Sequence, residues 1–248
     1  MHAPPLRLLP HALTLTNLAA GCVACIALVR GDYASVPWCL LVSAVADFLD
    51  GFAARAAGVQ GPFGRELDSL ADVVSFGVSP GLMAFAMLRA DLMGADPRDL
   101  SVVVEPVPLL AYAALLVPLF SAVRLARFNV SQADTKHFVG LATPANTLLW
   151  FGLFMTWLTA GPALRQNLSL SPVVLALVAV TSGLLVSEVT YFSNKLNPLA
   201  ARNWPAWVVA AAFAGLPWVL GWAAVPVAMG LYVLSGAVWR PEGKRPLR

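Results

Sequence analysis

Four aspartates, Asp47, Asp50, Asp68 and Asp72, stand in stretches of chain that otherwise read as membrane-buried hydrocarbon. A carboxylate at bilayer depth is costly unless it is paired, protonated or bound to a cation, so such residues mark function. Four together point to a site for multivalent metal. In Asp47-Phe48-Leu49-Asp50-Gly51-Phe52-Ala53-Ala54-Arg55, the spacing i, i+3, i+4, i+7 puts Asp47, Asp50, Gly51 and Ala54 on one helical face. Gly51 and Ala54 lack bulk, which lets a ligand approach the backbone beside the carboxylates and equally lets another helix pack closely. A break at Gly58 and Gly61-Pro62 turns the chain, and the next helix carries Asp68 and Asp72 as i, i+4 neighbours. Two antiparallel helices joined by a short turn thus aim two carboxylates each at one point just inside the interface. Hard oxygen ligands favour Mg²⁺, Mn²⁺ or Ca²⁺, and Mg²⁺ is commonly held by a few carboxylates plus substrate phosphates. The expected substrate therefore bears phosphate, and two bridged metals would stabilise an in-line phosphoryl displacement.

The elements that must position these groups are membrane spans. The chain has 248 residues, 59% hydrophobic and 12% charged, with a mean hydropathy of +0.75, the composition of an all-α polytopic membrane protein. Apolar runs near 13–29, 34–57, 63–89, 106–128, 141–160, 171–189, 204–219 and 220–239 predict about eight transmembrane helices. The last two share one run from Trp204 to Trp239, divided near Pro217 or Gly221, so six or seven spans are the alternative. One domain is expected over 1–248, with an amphipathic or irregular N-terminal segment around Pro4 to Pro10 on the cytoplasmic face.

With eight spans, Arg7, Arg55, Arg65, Arg124, Arg127, Lys136, Lys195, Arg202, Arg240, Lys244, Arg245 and Arg248 fall on the side of both termini. Only Arg30, Arg89, Arg98 and Arg165 fall opposite. Because Lys and Arg crowd cytoplasmic loops, both termini and the aspartate end of helices 2 and 3 are expected to face the cytoplasm. The Arg89–Glu105 stretch, with Asp91, Asp96, Asp99 and Glu105, reads as a solvated outer loop. A net charge of +3 and the basic tail 240–248 suit anionic leaflet lipids rather than nucleic acid, or act only as a topology determinant. Cys22, Cys25 and Cys39 lie in apolar helices and report no disulfide framework.

The full pattern from Asp47 to Asp72 is D-x2-D-G-x2-A-R-x8-G-x3-D-x3-D, matched at every fixed position. It resembles the signature of the CDP-alcohol phosphatidyltransferase family. The resemblance implies a six-helix core, usually dimeric, that transfers a phosphatidyl group from a CDP-linked lipid to an alcohol and releases CMP. Carried over by position, Asp47, Asp50, Asp68 and Asp72 are metal ligands for two Mg²⁺ or Mn²⁺ ions, and Asp72 is the general base for the acceptor hydroxyl. Gly51, Ala54 and Gly64 line the cytidine diphosphate pocket. Arg55 neutralises phosphate charge or serves as a loop-end topology signal.

Further stretches resemble integral-membrane phosphatidylserine synthases: Glu66 to Gly77 with Pro80, Arg124-Leu125-Ala126-Arg127-Phe128-Asn129, Phe138-Val139-Gly140-Leu141 followed by Pro144-Ala145, and Leu13-Thr14-Leu15-Thr16-Asn17-Leu18 with Gly21. Ala142 departs from their pattern, which usually has proline there. The implied reaction joins CDP-diacylglycerol and L-serine at the cytoplasmic face, with the lipid entering laterally. Serine brings a carboxylate and an ammonium. Arg124 and Arg127, on one helical face, and Asn129 supply donors for the first, and Glu188 could hold the second or brace the arginines. The same arginines also suit helix-end anchoring. Tyr191 and Ser193 follow Glu188, and Asn146 could cap a helix or join a polar network. Glycerol 3-phosphate, inositol phosphate or choline are the alternative acceptors. A divalent-cation transporter is the remote alternative, although transport sites favour the bilayer midplane and internal repeats, and neither is seen here.

Overall fold

The computed structural model describes residues 4–59, 61–94, 106–130, 138–160, 170–191 and 215–238. Helix α1 (Pro4–Val29) starts on two prolines, whose missing N–H groups cost nothing in a first helical turn, and runs through Pro10 without interruption. The N-terminal segment is therefore helical and continuous with the first span, not an irregular stretch. Helix α2 (Val36–Ala57) ends where Gly58 adopts φ 63° and donates its N–H to the Ala54 and Arg55 carbonyls. Pro62 opens α3 (Pro62–Asp72).

After Asp72 the helix widens into a π-helical turn, Val73–Val78, before continuing as α4 (Ser79–Met93). Contacts from neighbouring helices hold it. Ser75 Oγ donates to the Asn17 carbonyl at 3.0 Å and Thr147 Oγ1 to the Phe76 carbonyl at 3.0 Å. The expected span 63–89 is thus a longer apolar rod, Pro62–Met93, of 32 residues.

A 3₁₀ stretch, Leu109–Leu115, leads into α5 (Leu116–Val130), followed by α6 (Thr143–Thr159) and α7 (Ser171–Leu185). The short strands β1 (Phe138–Val139) and β2 (Thr190–Tyr191) pair antiparallel, Phe138 opposite Tyr191, where α6 begins and α7 ends. Gly140 follows at φ 76°, and a Cβ there would lie 2.6 Å from the Leu185 carbonyl oxygen, so only glycine fits. A short α8 (Pro217–Leu220), a 3₁₀ turn at Gly221–Ala223 and α9 (Ala224–Val238) complete the described chain.

Among the described residues, five helices are long and apolar enough to cross a membrane: Leu8–Val29, Val36–Ala57, Pro62–Met93, Leu109–Val130 and Trp218–Ser235. Helices α6 and α7, of 17 and 15 residues, are shorter. The all-α polytopic architecture holds, while the count of eight is not confirmed. Most of the expected span 204–219, the basic tail 240–248, Asp96, Asp99, Glu105, Lys136 and Ser193 lie outside the described residues.

The core gathers Met83 and Leu88 of α4, Val117 of α5, and Trp150 and Phe154 of α6, all fully buried. A Cβ at Gly77 would meet Ser121 at 3.1 Å and one at Gly81 would meet Pro118 at 2.7 Å, so α5 packs antiparallel against the π-turn and α4. Arg89 and Asp91 belong to α4 rather than to a loop. Asp91 also caps α7, because its carboxylate accepts from the backbone N–H of Leu170 (3.1 Å) and of Ser171 (2.8 Å) and from the Ser171 hydroxyl.

Candidate active site

Asp47, Asp50 and Asp68 converge: each offers one carboxylate oxygen, and these atoms all lie within 4.8 Å of one another. The i, i+3 spacing in α2, with α2 ending at Gly58 and α3 starting at Pro62, produces this meeting. Like charges this close repel unless a cation or proton stands between them. Asp68 Oδ1 is moreover buried with no hydrogen-bond partner among the described residues, an oxygen free for a ligand. An all-carboxylate set with a spare oxygen fits a hard divalent cation.

Asp72, buried one turn further along α3, stands beside this triad, its carboxyl meeting that of Asp47. It also accepts from Asn17 Nδ2 at 3.2 Å. Asn17 is fully buried. Its Oδ1 accepts from Ser43 Oγ and its backbone carbonyl from Ser75 Oγ, so one α1 side chain ties α2 and α3 together behind the aspartates. One turn earlier, Thr14 Oγ1 lies 2.6 Å from Asp50 Oδ2 and 3.0 Å from the Pro10 carbonyl. The charged acceptor makes the stronger bond. The sequence alone points to no role for Thr14, Asn17 or Ser43. Thr14 and Asn17 stand in a stretch already singled out, and i, i+3 spacing of polar residues in an apolar helix was the available signal.

A cavity of about 330 Å³ opens beside the triad, walled by Pro10, His11 and Thr14 of α1, by Asp50, Gly51, Ala54 and Arg55 of α2, and by Gly64, Arg65 and Asp68 of α3. All four residues expected to receive the CDP-linked lipid, Gly51, Ala54, Arg55 and Gly64, line it. A Cβ at Gly51 would press the Arg55 guanidinium at 3.3 Å and one at Gly64 the His11 ring at 3.4 Å, so both glycines widen the space. His11 is steadied edge-on by Phe63, with ring centroids 5.4 Å apart. Phe48, Phe52 and Phe63, on the same helices, are exposed by 70%, 60% and 68%.

The residues expected to hold the acceptor divide. Arg124 reaches the field of Asp72, and its Nε is buried and unpartnered. Arg127 is exposed and donates to the Val186 carbonyl at 3.1 Å, bracing the end of α7. The Asn129 amide donates to Ser69 Oγ at 2.9 Å and Glu66 Oε2 at 3.2 Å, latching α5 to α3. Glu188 is exposed beyond α7. Arg124 thus stands toward Asp72, while Arg127 and Asn129 are engaged in joining helices.

The model of the CDP-alcohol phosphatidyltransferase family matches residues 7–185. The chain is similar to the CDP-diacylglycerol–serine O-phosphatidyltransferase of Helicobacter pylori strain 26695, with 28% identity over 236 residues, 94% of this chain and 91% of that protein. It is 30% identical over 151 residues to the archaetidylserine synthase of Methanothermobacter thermautotrophicus, covering 60% of this chain and 58% of that protein. With the CDP-diacylglycerol–serine O-phosphatidyltransferase of Bacillus subtilis it shares 30% identity over 137 residues, 55% of this chain and 69% of that protein.

Proposed function

The chain belongs to the CDP-alcohol phosphatidyltransferase family, and from that premise we propose that it transfers the phosphatidyl group of CDP-diacylglycerol to the hydroxyl of L-serine, forming phosphatidylserine and CMP. The observation that carries the chemistry is the convergence of Asp47, Asp50 and Asp68, the last two on the wall of a cavity also lined by Gly51, Ala54, Arg55 and Gly64. Serine as acceptor is supported by the names of relatives at 28–33% identity.

In this reading the cytidine diphosphate lies in the α1–α3 cavity, close to the backbone where glycines leave room, with Arg55 against its phosphates. Asp47, Asp50 and Asp68 hold divalent cation, Mg²⁺ or Mn²⁺, with Asp72 beside them. Bound there, the metal supplies charge neutralisation on the phosphates. Asp72 takes the proton from the serine hydroxyl as its oxygen attacks the phosphatidyl phosphorus. The bond from that phosphorus to the bridging oxygen breaks, and the electron pair leaves on CMP. Asn17 keeps the Asp72 carboxyl aimed, and Thr14 does the same for Asp50.

The test is CMP release by the purified chain with CDP-diacylglycerol and Mg²⁺ or Mn²⁺, comparing L-serine with glycerol 3-phosphate, inositol, inositol phosphate and choline. Serine-dependent, chelator-sensitive release is the expected result. Release with another alcohol alone discards serine, and cation flux into vesicles without CMP release returns the transporter reading.

A further inference from the structure

Helices α5, α6 and α7, which do not line the α1–α3 cavity, carry buried polar atoms without partners among the described residues near the depth of Asp72. Helix α6 runs parallel to the α3–α4 rod: Thr147 bonds the Phe76 carbonyl, and further along Trp150 and Trp157 share a cavity wall with Met87. One turn back from the Thr147–Phe76 contact, Thr143 falls level with Asp72, and Asn146, next to Thr147, falls level with Ser75. Helix α5 runs the other way, with Ser121 against Gly77, so Arg124 one turn on is also level with Asp72. Leu184 of α7 accepts from the Leu141 N–H, which places Ser182 beside the first turn of α6.

Near this level Arg124 Nε, Thr143 Oγ1, Ser182 Oγ and both Nδ2 and Oδ1 of Asn146 are buried and bonded to nothing among the described residues. Asn146 is the extreme case, 0% exposed with its whole carboxamide unused. A buried amide unsatisfied at both ends is strongly unfavourable, and Asn is a poor choice for a helix interior that needs only packing.

We propose that Asn146 is a specificity-determining residue for the acceptor, reading the α-amino-acid end of serine from the wall formed by α5, α6 and α7. Its Oδ1 accepts from the ammonium, while Nδ2 and Arg124 donate to the carboxylate, with Thr143 adding a hydroxyl. This rests on the serine reading and assigns it a pocket distinct from the residues Arg127, Asn129 and Glu188.

The experiment uses the full chain in detergent micelles with CDP-diacylglycerol and Mn²⁺, following CMP release with L-serine, with 3-hydroxypropionate, which lacks the ammonium, and with ethanolamine, which lacks the carboxylate. Asn146→Leu is expected to lower kcat/KM for serine roughly 10- to 100-fold, to leave the KM for CDP-diacylglycerol within about twofold, and to erase most of the preference for serine over 3-hydroxypropionate. An unchanged serine KM, or equal losses on all three acceptors with preferences intact, overturns the assignment. Where the wild-type chain itself ignores serine and uses another alcohol, the underlying reading fails with it, a result visible before any variant is made. Should Asn146→Leu fail to fold, the near-isosteric Thr143→Val carries the test: a shift in the same direction of about threefold or more supports the pocket, and none overturns it.

Discussion

Asp72 is buried and, among the described residues, bonded to Asn17 and Asp47, which fits a group that moves a proton. Asp72→Asn keeps the shape and the Asn17 contact but cannot accept a proton from an alcohol. Turnover should fall by roughly 100-fold or more, while binding of CDP-diacylglycerol, followed by equilibrium binding to the purified variant, stays near wild type. Full activity would remove Asp72 as the base. Thr14→Val removes the hydroxyl from Asp50 without changing side-chain volume. The Mn²⁺ concentration giving half-maximal rate should rise roughly 10-fold, read from a metal titration, with the maximal rate at saturating metal less affected. The aspartates themselves were legible in the sequence because fixed spacing along one hairpin declares them. For Thr14 and Asn17 the i, i+3 spacing marks a polar face on α1, but not what it meets, since their partners lie 36 and 55 residues away.

Helices α2 and α3 were legible to within a few residues because their boundaries are written in Gly58 and Pro62. The π-turn at Val73–Val78 was not: its sequence is ordinary apolar helix, and bonds from Asn17 and Thr147 on other helices select the wider turn. The β1–β2 pair was equally invisible, since two residues carry no periodicity. Asp91 was misread for a related reason. Charge near an apolar boundary looks like a solvated loop until the start of α7 is brought to it from 79 residues away. Asp91→Ala leaves the first N–H groups of α7 without acceptors. Stability in detergent should drop by about 1 kcal/mol, seen as a lower unfolding temperature, with activity of the folded fraction unchanged. A loss of activity without a loss of stability would give Asp91 a role in the chemistry.

For the whole molecule, we propose from the distribution of Lys and Arg that the aspartate end of α2 and α3 faces the cytoplasm. Ala34 and Ala56, both exposed, stand at opposite ends of α2. In a background lacking Cys22, Cys25 and Cys39, a membrane-impermeant maleimide added to intact cells should label the Ala34→Cys variant and reach the Ala56→Cys variant only after lysis. The reverse pattern would invert the topology. The exposed rings of Phe48, Phe52 and Phe63 on the helices that wall the cavity bear on how the reaction is measured. We propose that they leave that flank of the site open to hydrocarbon rather than to water, and that the donor arrives by diffusing within the plane of the bilayer. What governs encounter is then a two-dimensional density. At fixed bulk CDP-diacylglycerol, adding inert detergent or lipid should slow the enzyme simply by spreading its donor thinner.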